Sequence, residues 1–219
     1  MMEKPIEVVI ADDHGIVTES LRLYLENAGL NVVGTAASGR QAVEQVKKTR
    51  PDVLLLDIRM PDMDGIEALA KIKREVPETT VIMLTSVDEY ASMAQAIALG
   101  AAGYLLKDTT PKQIPNIIRA VMEGDAIIDQ NLLREALTTE GFHAQQAQQN
   151  AEPPIKDLTE QEQRVLLLLA QGLDNDTIAR TLVVSRNTIK THITSIFRKL
   201  NVSNRTQAAI WAFRNGIIH

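Results

Sequence analysis

Two kinds of pattern alternate along residues 6–123, and this alternation constrains the fold more than any other feature of the sequence. Short runs rich in leucine and β-branched residues, such as EVVIA, DVLLLD and TVIMLT, are separated by segments with the apolar spacing of helices. Continuous apolar runs are typical of parallel strands, because such strands are buried on both faces. Five strands alternating with five helices predict an α/β fold with a doubly wound, five-stranded parallel sheet of the flavodoxin-like kind. The helices are predicted near residues 14–28, 39–49, 65–75, 88–99 and 111–122.

The remainder of the chain has a different organisation. A short helix is predicted at 125–137, and a polar Gln/Ala-rich segment closed by two prolines follows it, which is typical of an interdomain linker. Beyond it four helices are predicted, with a capping box at Thr159 and Glu162 before the first and Ser185 as the N-cap of the third. We therefore assign residues 5–124 to the α/β domain, 125–154 to the short helix and linker, and 155–219 to a small all-α domain.

The charges are distributed unevenly. Residues 1–124 carry a net charge of −5, residues 125–154 carry −4, and residues 155–219 carry +4. From Thr177 to the C-terminus there are seven basic residues and no acidic one, which favours an anionic partner over a merely solvated face. The chain has no cysteine, and its longest apolar run, Val165–Ala170, is too short to span a bilayer. These features predict a cytoplasmic protein without a membrane partner.

Reactive side chains occur where the predicted strands end. If the strand order is 2-1-3-4-5, ligands bind at the carboxyl ends of strands one and three. The side chains predicted at this edge of the sheet are Asp12, Asp13, Asp57, Thr85 and Lys107. Three carboxylates in one cleft need a cation, and oxygen ligands suit Mg²⁺, with Mn²⁺ as its alternative. A carboxylate beside such an ion can attack a phosphoryl group, with an ammonium and a hydroxyl to stabilise the transferred charge.

Each of these residues alone has a simpler interpretation. Asp12 or Asp13 could cap the next helix, Asp57 could belong to an ordinary turn, and Lys107 could be a solvated charge. Five suitable residue types at five strand ends together favour the phosphoryl site, with Asp57 as the nucleophile.

The motifs ADDH, LLLDIRMPDMDG, MLTS and GYLLKD make residues 6–123 resemble the receiver domain of two-component response regulators. The resemblance implies that a sensor histidine kinase phosphorylates Asp57. It also implies that Asp12 and Asp13 hold Mg²⁺ and that the main-chain carbonyl of Arg59 completes the metal site.

The same resemblance implies that Thr85 and Tyr104 change position together when the domain is phosphorylated. No chemical role follows for His14, and we interpret it as structural.

The third helix of the C-terminal domain has two distinct faces. Its apolar face is formed by Ile189, Ile193, Ile196, Phe197 and Leu200. The opposite face has no carboxylate and is formed by Lys190, Thr191, Thr194, Ser195 and Arg198. Preceded by a short helix and a VVS turn, this helix has the layout of a helix-turn-helix reader of the DNA major groove. An ordinary exposed helix face is the alternative.

The segment from LTEQEQRVLLLLAQG to RTQAA resembles the LuxR-type DNA-binding domain, and with the receiver it gives the architecture of the NarL/FixJ response regulators. By this resemblance Lys190 and Thr191 contact bases. The resemblance also implies that four residues lie near phosphates, namely Ser185, Asn187, His192 and Lys199. Thr194 stands where many relatives have a second base-reading lysine or arginine. His192 could equally be a surface histidine.

The implied function is that of a DNA-binding transcriptional response regulator rather than an enzyme. Its partners would be the sensor kinase, double-stranded promoter DNA, RNA polymerase and, after phosphorylation, a second copy of the chain. The fourth helix offers a small-residue face suited to pairing, formed by Ala208, Ala209, Trp211 and Ala212. Packing in the domain core is the alternative use of that face.

Three other classes of protein share part of these features. Haloacid-dehalogenase phosphatases need a second Asp two positions after the nucleophile, where this chain has Arg59. A phosphate-independent regulator with a degenerate receiver is expected to lose one of the five strand-end residues. A ligand-sensing quorum regulator shares only the DNA-binding half.

Overall fold

The computed structural model describes residues 4–85, 90–124 and 158–218. The chain divides into two compact units between Met122 and Glu123. The helix predicted at 125–137 and the linker predicted at 138–154 lie outside the described residues, and the domain boundaries assigned above stay predictions.

The first unit contains one sheet with five parallel strands. They are β1 (Glu7–Ala11), β2 (Asn31–Ala36), β3 (Val53–Asp57), β4 (Thr80–Thr85) and β5 (Gly103–Leu106). Their order is β2-β1-β3-β4-β5, and every neighbouring pair is parallel. Every residue of β3 is buried, which explains the continuous apolar run in its sequence. The predicted flavodoxin-like fold is confirmed.

Five helices connect and cover these strands. They are α1 (Gly15–Asn27), α2 (Gly39–Thr49), α3 (Gly65–Glu75), α4 (Tyr90–Ala98) and α5 (Ile114–Met122). The N-caps of α2 and α3 are Ser38 and Asp64, whose side chains accept hydrogen bonds from backbone N–H groups three residues later.

The helix predicted at 111–122 is interrupted near its start. A single turn of 3-10 helix (Pro111–Gln113) precedes α5. Pro115 has no N–H to donate to the carbonyl of Pro111, and that carbonyl accepts a hydrogen bond from Ile114 instead. The chain therefore makes a tighter turn before the α-helix begins.

The second unit contains four described helices. They are α6 (Glu160–Ala170), α7 (Asn175–Leu182), α8 (Arg186–Leu200) and α9 (Arg205–Arg214). The capping box predicted at Thr159 and Glu162 is present, and the N-caps of α8 and α9 are Ser185 and Asn204. Across the described parts of both units, no helix is long and apolar enough to cross a membrane.

The face of α9 that was expected to pair with a second copy lies inside the domain. Ala208 and Ala212 are fully buried, and Ala209 and Trp211 are about as inaccessible. All four belong to one apolar cluster with residues of α6, α7 and α8. Their burial contradicts a pairing surface and agrees with core packing, since small residues let α9 approach α6 closely.

Candidate functional site

The strand ends of the first unit bring the predicted reactive side chains to one edge of the sheet. Asp57 is the last residue of β3, Thr85 is the last residue of β4, and Lys107 follows β5 directly. Asp12 and Asp13 follow β1, which pairs with β3. Because the strand order reverses beside β1, this edge is where a doubly wound sheet binds ligands.

One lysine joins two buried carboxylates at this edge. The Nζ atom of Lys107 lies 2.7 Å from Oδ2 of Asp57 and 2.9 Å from Oδ2 of Asp12. Both acidic residues are 2% exposed, whereas the lysine side chain keeps a quarter of its surface in solvent. The ammonium therefore offsets two charges that would be costly to bury alone.

The pKa values reflect this balance. Burial raises the pKa of Asp57, the neighbouring charge of Asp12 raises it further, and the hydrogen bond from Lys107 opposes both. Burial lowers the pKa of Lys107, but its hydrogen bonds to Asp57 and Asp12 outweigh that effect and raise it. Lys107 is therefore a permanent cation at neutral pH, held beside the carboxylate that is proposed to react.

The acidic residues form a donor set that fits a divalent cation. Asp12, Asp13, His14 and Asp57 each offer one ligand atom, and these atoms lie within 4.8 Å of one another. The carboxylates supply the oxygen ligands that Mg²⁺ prefers. The backbone N–H of Arg59 donates to Oδ1 of Asp57 at 3.4 Å, so Arg59 lies next to this set. Its carbonyl as a metal ligand stays a prediction.

Two glycines allow the loop after Asp57 to approach the helices closely. A Cβ atom on Gly65 would lie 2.1 Å from the backbone carbonyl oxygen of Asp57, and one on Gly39 would lie 2.3 Å from that of Met63. The N–H groups of Gly65 and Gly39 donate to the carbonyls of Ile58 and Met63, respectively. Backbone contact of this kind fixes the loop that carries Asp57, and only glycine leaves room for it.

Tyr104 is buried against α4. Its hydroxyl donates to the carbonyl of Met93 at 2.7 Å, and burial raises its pKa well above the ordinary value. Thr85 is also buried, at 4% exposure. Their coupled movement stays a prediction.

In the second unit, α8 presents one polar stripe to solvent. The exposed residues Asn187, Thr191, Thr194 and Arg198 follow one another at helical spacing, and the half-buried Lys190 and His192 flank them. Ser185 is exposed and acts as the N-cap by accepting from the N–H of Thr188 at 3.0 Å. The stripe's own residues include two cations, Lys190 and Arg198, and no carboxylate.

Lys199 has a partner that the sequence did not indicate. Its Nζ donates to Oε2 of Glu162 at 2.7 Å, and the hydroxyl of Ser195 donates to Oε1 of the same side chain at 2.7 Å. Glu162 also accepts from the N–H of Thr159 in the capping box. One buried carboxylate thus holds α8 against the start of α6, and Lys199 is turned toward the domain rather than toward the polar stripe.

This link makes the stability of the helical unit dependent on pH. Burial raises the pKa of Glu162, but the hydrogen bonds from Lys199, Ser195 and Thr159 outweigh it and bring the pKa to about 2. A carboxyl group whose pKa is lowered by folding stabilises the fold at pH values above the pKa that the group has in the unfolded chain. This stabilisation is lost as the pH falls toward 2. The loss amounts to about 3 kcal/mol at most.

We expect Glu162→Gln to lower the free energy of unfolding at pH 7 by about 2–3 kcal/mol and to flatten its change between pH 5 and pH 2. Urea unfolding followed by the fluorescence of Trp211, the lone tryptophan, measures this unit alone. Glu160→Gln, an exposed change in the same helical turn, is the control and should keep the wild-type pH dependence. An equal effect of both variants would contradict the role of the buried link.

Comparisons with known families match both units. The response regulator receiver domain family matches residues 8–119, and the luxR family of bacterial regulatory proteins matches residues 156–212. The two matches together contain every residue of the strand-end site and of the polar stripe.

Curated relatives and solved structures match this chain along nearly all of its length and of theirs. The chain is 40% identical over 220 residues to the uncharacterized transcriptional regulatory protein YxjL of Bacillus subtilis (strain 168), and both chains are covered completely. It is 35% identical to the response regulator protein VraR of Staphylococcus aureus, over 97% of this chain and 99% of VraR. It is also similar to a structure of two RcsB dimers bound to two parallel DNAs, with 28% identity, a TM-score of 0.52, and coverage of 98% of this chain and all of that one.

Proposed function

Because this chain belongs to the two-component response regulators that join a receiver domain to a LuxR-type DNA-binding domain, we propose that phosphorylation of Asp57 controls its binding to promoter DNA. The observation that carries the proposal is the position of Asp57 at the carboxyl end of β3, with the Lys107 ammonium 2.7 Å from its carboxylate. The phosphoryl donor would be the phosphohistidine of a sensor kinase.

The chain's own residues supply most of this chemistry. A carboxylate oxygen of Asp57 attacks the phosphorus, the P–N bond of the phosphohistidine breaks, and its electron pair leaves with the imidazole. Lys107 pairs with the charge on the transferred group, and Thr85 offers a hydroxyl on the neighbouring strand end. Asp12, Asp13 and Asp57, with the carbonyl of Arg59, would hold Mg²⁺. When bound, this ion neutralises the carboxylates and the phosphoryl oxygens.

The product is an acyl phosphate that stays on the protein and acts as a signal. We therefore assign the chain a regulatory rather than an enzymatic role. Its proposed target, promoter DNA, places its activity in the cytoplasm, where RNA polymerase is a further partner.

The polar stripe of α8 is the proposed DNA contact. Lys190, Thr191 and Thr194 have the position to meet base edges in the major groove, whereas Arg198 suits a phosphate. Ser185 and Asn187 lie at the start of the helix, where backbone N–H groups and the helix dipole favour phosphate oxygens. His192 lies farther along α8, half-buried beside the stripe, and is also proposed to lie near a phosphate. Lys199 would act indirectly, by holding α8 through Glu162.

Useful specificity calls for two copies on a roughly palindromic site, because one domain of this kind contacts few base pairs. The structure of two RcsB dimers on DNA supports a dimeric arrangement for this chain as well. The buried face of α9 is not the pairing surface of the domain as it stands, so another surface must supply the contact.

The test is to measure DNA binding and oligomeric state before and after phosphorylation of the full chain. A binding site is first selected from a random duplex library, and the affinity and sedimentation of the two forms are then compared. We expect the phosphorylated form to bind at least tenfold more tightly, and this change in affinity corresponds to about 1.4 kcal/mol of binding free energy. We also expect it to sediment as a dimer on DNA. Equal affinity and a monomer in both states would refute the proposed control.

Lys190→Ala and Arg198→Ala should separate base contacts from phosphate contacts. Loss of a base contact by Lys190→Ala should cost about 1–3 kcal/mol on the selected site and relax the preference at one position. Arg198→Ala should weaken binding to all sequences alike. It should also make the slope of log affinity against log salt concentration shallower by about one, as the loss of one phosphate contact predicts. Lys48→Ala, at an exposed position of α2, is the control. Binding that is indifferent to both changes would mean that α8 does not enter the groove.

A further inference from the structure

One residue of the helix-turn-helix is held in a backbone conformation that its side chain disfavours. Val183 is the C-cap of α7, and its φ of 55° and ψ of 46° lie in the left-handed region. A branched Cβ crowds the backbone there, so glycine or asparagine is the usual occupant. The left-handed residues that follow the other three described helices of this unit are Gly172, Asn201 and Gly216. Val183 therefore costs stability that a glycine would not.

Packing within the domain does not compensate for this strain. The side chain of Val183 is 89% exposed, whereas its neighbours Leu182 and Val184 pack against the apolar core of the unit. Strained backbone of this kind is typical of functional sites, where the surrounding structure holds a residue in place for the contact that it makes. The two exposed methyl groups are the part of Val183 that such a contact would use.

The turn that carries Val183 leads directly into the proposed DNA contact. Exposed and half-buried residues alternate over residues 181–187, so the side chains of Val183 and Ser185 both point away from the core. The nearest carboxylate along the chain, that of Asp176, lies in the first turn of α7, whereas the last turn carries the exposed Arg180. The end of α7 thus offers a cation and two methyl groups, which together suit the sugar-phosphate backbone.

We propose that Val183 makes an apolar contact with a deoxyribose of the DNA backbone, beside the phosphate proposed for Ser185. The inference rests on the proposed function, in which α8 enters the major groove. In a helix-turn-helix the first helix crosses the DNA backbone while the second lies in the groove, and Val183 ends that first helix. The sugar carbons are the apolar part of the backbone, and valine methyl groups that cover them remove apolar surface from water. Such a contact fixes the position of α8 on the duplex without reading its sequence.

A series of variants at this position separates the strain from the contact. Val183→Gly and Val183→Ala remove the methyl groups, whereas Val183→Ile keeps an apolar, β-branched side chain. Binding of the phosphorylated full chain to the selected site should weaken roughly threefold to tenfold in the first two variants and stay at the wild-type level in the third. The urea midpoint followed by Trp211 should instead rise in Val183→Gly, because relief of the strain exceeds the added flexibility of the unfolded chain. Weaker binding by a more stable variant excludes unfolding as the cause.

The kind of DNA contact is tested with a second duplex and with salt. Loss of a sugar contact should weaken binding to the selected site and to a scrambled duplex equally. It should leave the slope of log affinity against log salt concentration unchanged, because no phosphate contact is lost. A loss confined to the selected site would place Val183 at a base, and a shallower slope would place it at a phosphate. Either result overturns the assignment to the sugar.

Further outcomes distinguish this inference from the proposed function. If Val183→Gly and Val183→Ala bind like the wild type while Arg198→Ala binds more weakly, Val183 does not touch DNA and the proposed function stands. A lower urea midpoint in Val183→Gly, or a loss of affinity in Val183→Ile as large as in Val183→Gly, would also refute the contact. If the phosphorylated wild type binds no DNA, the proposed function fails as well.

Discussion

We expect Asp57→Asn to abolish phosphorylation when the full chain is incubated with acetyl phosphate and Mg²⁺. The amide lacks the nucleophilic oxygen of a carboxylate, and the wild-type chain should gain a single acid-labile phosphate at this residue. Intact-mass spectrometry counts the phosphates, and peptide mapping locates them. Removal of divalent cations with a chelator should stop labelling of the wild type, because three carboxylates must be neutralised before a phosphoryl donor can approach.

The loss of labelling has to be distinguished from unfolding. Burial raises the pKa of Asp57, and a raised pKa means that the charged form costs stability as the pH rises. The neutral amide should therefore leave the receiver as stable at pH 7 as the wild type, or more so. Asp62→Asn changes an exposed carboxylate of the same loop and should label normally. Labelling of Asp57→Asn, or its loss in Asp62→Asn, would assign the phosphate to another residue.

The sheet and the strand-end residues could be predicted because each depends on a local pattern. Apolar runs such as Leu54–Leu56 identified the buried strands, and the 2-1-3-4-5 order brought their ends together. Residue type then indicated what the edge could do. Lys107 and Asp57 are 50 positions apart in the sequence, but the strand order brings both to one edge of the sheet, where Nζ of Lys107 lies 2.7 Å from Oδ2 of Asp57.

Other contacts could not be predicted, because they depend on side-chain direction and on packing between elements. His14 was interpreted as structural, although the sequence places it next to two predicted metal ligands. Lys199 was assigned to DNA from its motif alone, whereas Glu162, 37 residues earlier, is its partner.

The face of α9 shows the same difficulty. Small residues permit close packing with any helix, so the pattern did not distinguish a second copy of the chain from the core of the same domain. The burial of Ala208 and Ala212 resolves this for the described domain. The close approach of Gly65 to the backbone of Asp57 was likewise not predicted, because it depends on how the loop packs against α3.

Gly65→Ala is expected to destabilise the receiver and to slow phosphorylation. The added Cβ would lie 2.1 Å from the carbonyl oxygen of Asp57 and 2.9 Å from Cα of Ile58, and backbone atoms move less readily than the end of a side chain. Relief requires a shift of the loop or of the start of α3, at a cost of about 3 kcal/mol. A displacement of about 1 Å at Asp57 can slow a transfer reaction by about 100-fold.

In the same urea titration, unfolding of the helical domain serves as an internal reference for unfolding of the receiver. All three tyrosines belong to the receiver and the lone tryptophan belongs to the helical domain, so tyrosine and tryptophan fluorescence follow separate transitions in urea. The tyrosine transition should move to lower urea in Gly65→Ala, while that of Trp211 stays in place. Gly15→Ala is the matched control, since its Cβ meets no atom within 4 Å, and it should label at the wild-type rate. If Gly65→Ala keeps both the wild-type transition and the wild-type rate, the loop yields without cost, and the close approach of α3 is not what positions Asp57.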